Sequence, residues 1–403
     1  MKLETLNLNS RHFERLTYYL DKELFRLKKD NLHRVLRAVE SPQSPEVIIE
    51  GKRFLLLSSN NYLGLANHPY IKKKSVEALK KYGTGSGASR LISGNTALYN
   101  SLEKKIAGFK RCESSLVFSS GYAANIGTIS SLAGKNDIIF SDKLNHASIV
   151  DGCRLSRAET LIYPHKNLKV LEKGLGEAKK YQKRIIITDS IFSMDGDLAP
   201  LPEILELSEK YNAILMVDDA HATGVLGKNG RGSAEYFGIE GKIDIYMGTL
   251  SKALGSIGGF IAGSGKLTDY LINRARSFIY STGLPPSSLA ASIAAIETIE
   301  SNLNFKEKLW RNVNFLKAGF DSMGYDTMNT KTQIIPVLLG SERKTMKAMS
   351  YLYDNGIFIP GIRPPTVPNG KSRLRVTPMA NHTAKDLEHV LEVFRKMKKI
   401  LHH

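Results

Sequence analysis

From about residue 45 to residue 263 the chain alternates short apolar runs with stretches whose apolar positions recur every three or four residues. The runs are LVF at 116–118, DIIF at 137–140, IIIT at 185–188, ILMV at 214–217 and FIAG at 260–263. Runs this short, rich in β-branched residues and separated by helical patterns, predict crossover units and a mostly parallel sheet covered by helices on both faces. Several of them, with DIYMGTL at 244–250, pass at once into a polar cluster: SSGYAAN, SDKLNHAS, TDSIFSMDGD, VDDAHATG and GTLSKALG. In such sheets ligands gather beyond the carboxyl ends of the strands. The repetition therefore predicts where the chemistry sits.

A helical stretch from about Pro286 to Phe320 leads into strand IIPVLL, helix ERKTMKAMSYLYDNG, strand IFIPG, a loop, strand SRLRVTP and helix AKDLEHVLEVFRKMKK, the pattern of a smaller α/β domain. At the other end Phe13, Leu16, Leu20, Leu24 and Leu27 mark an amphipathic helix, which either lies on a membrane or docks on its own protein or a sister subunit. At 403 residues the chain exceeds the size at which one core usually stops growing. The expected organisation is an N-terminal helical arm and lead-in at 1–57, a large domain at 58–290, and an interdomain helix with a small C-terminal α/β domain at 291–403.

Composition narrows the function classes. Lys and Arg outnumber Asp and Glu by 57 to 39, giving a formal charge of +18, but the charges are scattered and accompany no RNA-reading or zinc-knuckle motif, so no nucleic-acid partner is expected. A phosphate-rich cosubstrate, an acidic carrier protein, or nothing at all accounts for the excess equally well. Cys112 and Cys153 lack CxxC spacing or metal-ligand companions, and no metal site is expected. The start of the chain lacks the apolar core of a signal peptide and no apolar run approaches ~18 residues, which predicts a soluble cytoplasmic protein without a membrane partner.

The polar clusters carry the candidate chemistry. Lys252 lies in Gly-Thr-Leu-Ser-Lys-Ala-Leu-Gly, where small neighbours let a ring approach and the Thr249 hydroxyl is expected one helical turn away. A lysine that forms an imine needs a partly desolvated site so that its free amine is available near neutral pH; a solvated surface charge is the alternative. Asp218 and His221 follow the run 214–217 directly. A carboxylate there can hold a pyridine nitrogen protonated and His221 can bond the ring's phenolic oxygen, or the pair simply ends a strand with Asp218 or Asp219 capping a helix. Ser119 to Asn125 reads as a strand end, a glycine turn and a helix start, which suits either a phosphate cradle or ordinary capping. His146 in Asn-His-Ala-Ser can stack on an aromatic cofactor or be structural, and Ser193 offers a hydroxyl at the same rim. Arg363, stiffened by the prolines after it, suits a substrate carboxylate or the surface. Arg373 and Arg375 alternate on a strand, share one face, and are read as bridging domains or solvent.

Together these segments resemble the α-oxoamine synthases, members of the fold type I pyridoxal-phosphate (PLP) enzymes, from about Arg34 to the C-terminal helix. The resemblance rests on SSNNYLGL at 58–65, GTGSGASRLISG at 83–94, SSGYAAN at 119–125, NHAS at 145–148, FSMDGD at 192–197, VDDAHATG at 217–224, GTLSKALG at 248–255, YSTGLPP at 280–286 and IRPPTVP at 362–368, in family order. It implies that pyridoxal 5'-phosphate is carried by Lys252 as an imine, with Asp218 on the pyridine nitrogen, His146 on the ring face, and His221 and Ser193 on the oxygen side. It further implies that Gly121 and Tyr122 offer backbone donors to the phosphate beside Thr249, and that Ser281 and Thr282 arrive from the other subunit of a homodimer. Arg363 and Asn60 are implied for the amino-acid carboxylate, and Arg34 for the neighbourhood of an acyl thioester carried on CoA or a carrier protein. The implied reaction is a decarboxylating condensation of amino acid and acyl thioester.

Overall fold

A computed structural model describes residues 14–29 and 32–401; Phe13, the first position of the predicted arm helix, lies outside them. Among the described residues thirteen strands form three sheets. The large one contains β3 (Ser114–Phe118), β4 (Ile138–Asp142), β5 (Glu159–Tyr163), β6 (Arg184–Asp189), β7 (Ile214–Asp218), β8 (Ile245–Thr249) and β9 (Gly259–Gly263), in the order β3-β9-β8-β7-β6-β4-β5. Only β9 runs against its neighbours, pairing antiparallel with both β3 and β8. Each apolar run named above is one of these strands, and β4, β8 and β9 are buried along their whole length. That continuous burial is why they read as unbroken apolar runs rather than alternating ones.

Two apolar layers sandwich the sheet. One side buries residues such as Phe140, Leu215 and Phe260, the other Ile139, Met216 and Ile261. Helix Gly121–Leu132 crosses so close to β9 that a Cβ at Gly259 would stand 2.6 Å from Gly121 Cα, so any larger residue at 259 would push the helix start away.

The predicted long helix is two, Pro286–Ser301 and Asn304–Ser322, because Asn302 turns extended (φ −147°, ψ 96°) between them. Beyond them β10 (Ile335–Gly340), β12 (Gly361–Ile362) and β13 (Ser372–Val376) form an antiparallel sheet in the order β10-β13-β12. The third sheet joins β1 (Glu46–Ile49) and β2 (Lys52–Leu56) to β11 (Ile357–Phe358), Leu55 pairing with Ile357. The N-terminal helix Glu14–Lys29 forms as predicted, with Leu16, Leu20, Leu24 and Leu27 all exposed. Among the described residues no helix is long and apolar enough to cross a membrane.

Candidate active site

The carboxyl ends of β6, β7 and β8 open into a cavity of about 230 Å³. Lys252, Asp218, His146, His221, Ser193 and Thr249 line it, together with Gly121 and Tyr122 at the start of helix Gly121–Leu132. Eight residues singled out from sequence thus meet in one place. Lys252 does not stand on a helix, as the expected spacing from Thr249 implied: Thr249 ends β8 and residues 250–255 make turns. From this turn Lys252, half-buried, lines the cavity. Burial, opposed by Asp218 and Asp189, lowers its pKa from 10.5 to about 8.

Asp218 is 3% exposed, and both its oxygens accept hydrogen bonds, Oδ1 from Ala220 N–H at 2.8 Å and Oδ2 from the Asn125 amide at 2.8 Å. His146 caps helix Ala147–Ser156, its Nδ1 accepting from the Ser148 backbone N–H at 3.2 Å and lying 2.8 Å from the Ser148 hydroxyl. Burial, partly opposed by Asp218, lowers the pKa of His146. His221 is pushed well below the ordinary histidine range, chiefly by burial and next by Lys252 and Arg375. Its Nδ1 stands 2.7 Å from the hydroxyl of the fully buried Tyr62.

The helix start presents a donor set. Ser120 Oγ accepts from Ala123 N–H at 3.0 Å, and the Ser120 carbonyl from Ala124 N–H, leaving the first two N–H groups, Gly121 and Tyr122, for a ligand. Thr249 donates its hydroxyl to the Gly258 carbonyl at 2.9 Å, with the Ser251 hydroxyl 2.8 Å away. Tyr122 turns its ring edge-on to His146, centroids 6.4 Å apart, and donates its hydroxyl to Asp151.

Asn60 meets Arg375 rather than Arg363. Arg375, 7% exposed, places Nη1 and Nη2 each 3.2 Å from Asn60 Oδ1 and its Nε 2.5 Å from the Ser193 carbonyl. Its neighbour on the same face, Arg373, bonds Asp195 at 2.8 Å, so both arginines clamp the FSMDGD turn. Arg363 rests its guanidinium on Met346 instead. Arg34 is exposed on the segment after the N-terminal helix. Ser281 and Thr282 lie outside this cavity, Thr282 bridging to Ser89 of the glycine-rich loop.

Sequence reasoning passed over three residues. The pattern offers Arg375 only as a bridge between domains or to solvent, gives Asp189 within TDSIFSMDGD no mark of its own, and leaves Asn125 closing a motif without a role. Asp189 lines the cavity, bonds the His146 N–H at 2.7 Å, and is driven well above the carboxylate range by burial and by Asp218 one strand away. For each, the signal was a polar residue at the end or on one face of an apolar run.

A lysine with a lowered amine, a fixed aspartate on the adjacent strand, an imidazole and an open helix start around one cavity fit pyridoxal 5'-phosphate in size and in donor set. These features on a seven-stranded sheet define the fold type I PLP-dependent transferases. The family described as aminotransferase class I and II matches residues 52–394, and the chain belongs to it and, within it, to the α-oxoamine synthases. The chain is 50% identical over 384 residues to the 8-amino-7-oxononanoate synthase of Thermoanaerobacter pseudethanolicus (95% of this chain, 97% of that one). It is 52% identical over 369 residues to that of Geotalea daltonii (91% and 94%). Among solved structures, a serine palmitoyltransferase variant from S. paucimobilis with bound PLP–myriocin aldimine matches with a TM-score of 0.90 at 32% identity, covering 98% of this chain and 99% of that one. The protein is a PLP-dependent acyltransferase.

Proposed function

We propose that the chain condenses L-alanine with a pimeloyl thioester, carried on CoA or a carrier protein, releasing carbon dioxide and thiol to give 8-amino-7-oxononanoate for biotin synthesis. Identity of about half the chain to synthases of that name, against 32% to serine palmitoyltransferase, supports this substrate pair. The observation that carries the reaction type is the Asn60–Arg375 pair beside Lys252 and His221, a buried cation ready for an amino-acid carboxylate.

Bound PLP supplies an electron sink for the carbanion formed at the amino acid's α-carbon. Lys252 would anchor the cofactor, and its amine, lowered to about 8, could hold and move the amino acid's α-proton. Asp218 would hold the ring nitrogen, His146 the ring face, and His221 and Ser193 the oxygen side. Gly121 and Tyr122 bind the phosphate through backbone N–H groups, with Thr249 and with Ser281 and Thr282 of a second copy in a homodimer. Arg375 with Asn60 grips the carboxylate, orienting it first for proton removal and then for departure. Arg363, on the proline-stiffened loop, joins them at the carboxylate, and the exposed Arg34 serves the acyl thioester side.

The test offers alanine, glycine and serine each against acetyl, succinyl, pimeloyl and palmitoyl thioesters, following thiol release. Alanine with the pimeloyl donor is expected to be fastest. Fast glycine with acetyl would make the chain a glycine C-acetyltransferase, glycine with succinyl a 5-aminolevulinate synthase, and serine with palmitoyl a serine palmitoyltransferase.

A further inference from the structure

Asn125 is completely buried on the helix that starts at Gly121, and its amide nitrogen gives one bond to Asp218 Oδ2 and another to Ser148 Oγ, each 2.8 Å. An amide nitrogen has two protons, so both are spent on these two acceptors. Asp218 is thereby held from two directions, by Asn125 on Oδ2 and by Ala220 N–H on Oδ1 at 2.8 Å, which fixes the plane of the carboxylate.

At the other end the Ser148 hydroxyl receives the Asn125 proton, and its own proton is left for His146 Nδ1, 2.8 Å away. The Ser148 backbone N–H, which can only donate, points at the same nitrogen at 3.2 Å. Two donors on Nδ1 exclude a proton there, and burial together with Lys252 keeps the ring from gaining a second one. The neutral imidazole therefore carries its hydrogen on Nε2.

We propose that Asn125, acting through Ser148, is the positioning residue that ties the orientation of Asp218 to the tautomer of His146, so that the carboxylate and the imidazole lining the cavity are set by one buried amide. The inference rests on the reading of the cavity as a PLP site only for its effect on the cofactor; the tautomer of His146 is a property of the protein alone. The Asn125 Oδ1 atom is buried without a partner, which agrees with an amide retained for its two donors.

The experiment has two arms. In cofactor-free protein, ¹⁵N histidine spectra read His146 directly, assigned by its loss in His146→Gln. Wild type is expected to show an unprotonated Nδ1, and Asn125→Ala a shift of that resonance towards the protonated position, because the Ser148 hydroxyl, relieved of its donor, can turn to accept and leaves only the longer backbone contact at 3.2 Å against a proton there. Ser148→Ala, in which that backbone donor remains and no hydroxyl competes as acceptor, should shift it less. In the second arm PLP affinity, measured by titrating cofactor into the apo-protein, should fall about 10- to 100-fold in Asn125→Ala, the worth of a hydrogen bond to a charged acceptor, and less than about threefold in Ser148→Ala. If Asn125→Ala does not fold, Ser148→Ala still decides through its resonance. An unchanged Nδ1 resonance in both variants, or an Asn125→Ala protein that loses melting temperature while keeping both resonance and affinity, overturns the proposal. Wild-type protein that fails to bind PLP while showing the expected tautomer would strike the cofactor reading and leave the network standing.

Discussion

Two neighbouring aspartates at the end of β7 face opposite ways and teach opposite lessons. Asp219 meets Lys110 at 2.7 Å with the side chains 0% and 1% exposed, and takes the Ser233 hydroxyl and N–H besides, while Lys110 also donates to the Arg231 carbonyl. Every charge there is answered. Asp218, one residue earlier, shares its cavity with Lys252, whose amine has no such partner among the described residues and is lowered to about 8 by burial. A buried lysine with a full set of acceptors is structural; one with the acceptors withheld is chemical.

The contrast can be broken in order of expected effect. Lys252→Ala should lower turnover by more than ~10³-fold with a melting temperature near that of wild type. Substantial residual activity would remove Lys252 from the chemistry. Lys110→Met, by stranding Asp219 as an unpaired buried charge, should cost about 3–5 kcal/mol of stability by urea titration. Lys110→Met with Asp219→Leu should recover most of it, and no recovery would mean that the pair is not what the position needs.

Arginine variants sharpen the site's other pole. Arg375→Ala is expected to cost about 2–5 kcal/mol in kcat/KM for the amino acid, the range for removing one side of a buried charged contact, and Arg363→Ala, on a half-buried loop, less. An Arg375→Ala effect no larger than that of Arg363→Ala would undo the assignment of Arg375. The smallest effect is on pH. Because burial lowers the Lys252 amine from its ordinary 10.5 to about 8, the unfolded chain binds more protons than the folded one between those values. Stability of the cofactor-free protein should therefore rise with pH across that window, the full penalty being present below about 8. Comparing urea midpoints of wild type and Lys252→Met at pH 8 and 10 isolates the contribution, which should shrink at the higher pH.

What could be read along the chain was whatever the chain keeps local. Lys252, Asp218, His221 and His146 each follow an apolar run by a few residues, so strand and functional side chain share one short window. Arg375 and Asn60 are 315 residues apart, and nothing near Arg375 distinguishes it from Arg373, which occupies the same face of β13 and bonds Asp195 instead. The Asn125–Ser148 bond likewise spans two helices. The break at Asn302 was missed because the apolar periodicity resumes at once beyond it. The partnership of β2 with β11 was missed because strand periodicity identifies a strand and says nothing of its neighbour.

That last pairing bears on how the molecule is made. Strands β1 and β2 can fold back on each other as soon as they are synthesised, but Leu55 and Leu56 find Ile357 and Phe358 only after some three hundred further residues have been added. At the usual rate of synthesis, about 5–20 residues per second, the wait is roughly 15–60 s. For that interval the nascent chain holds an apolar ribbon with one unsatisfied edge, the arrangement most open to pairing with a stranger. Lys52 and Arg53, exposed at the start of β2, give the waiting ribbon the charge that keeps it in solution.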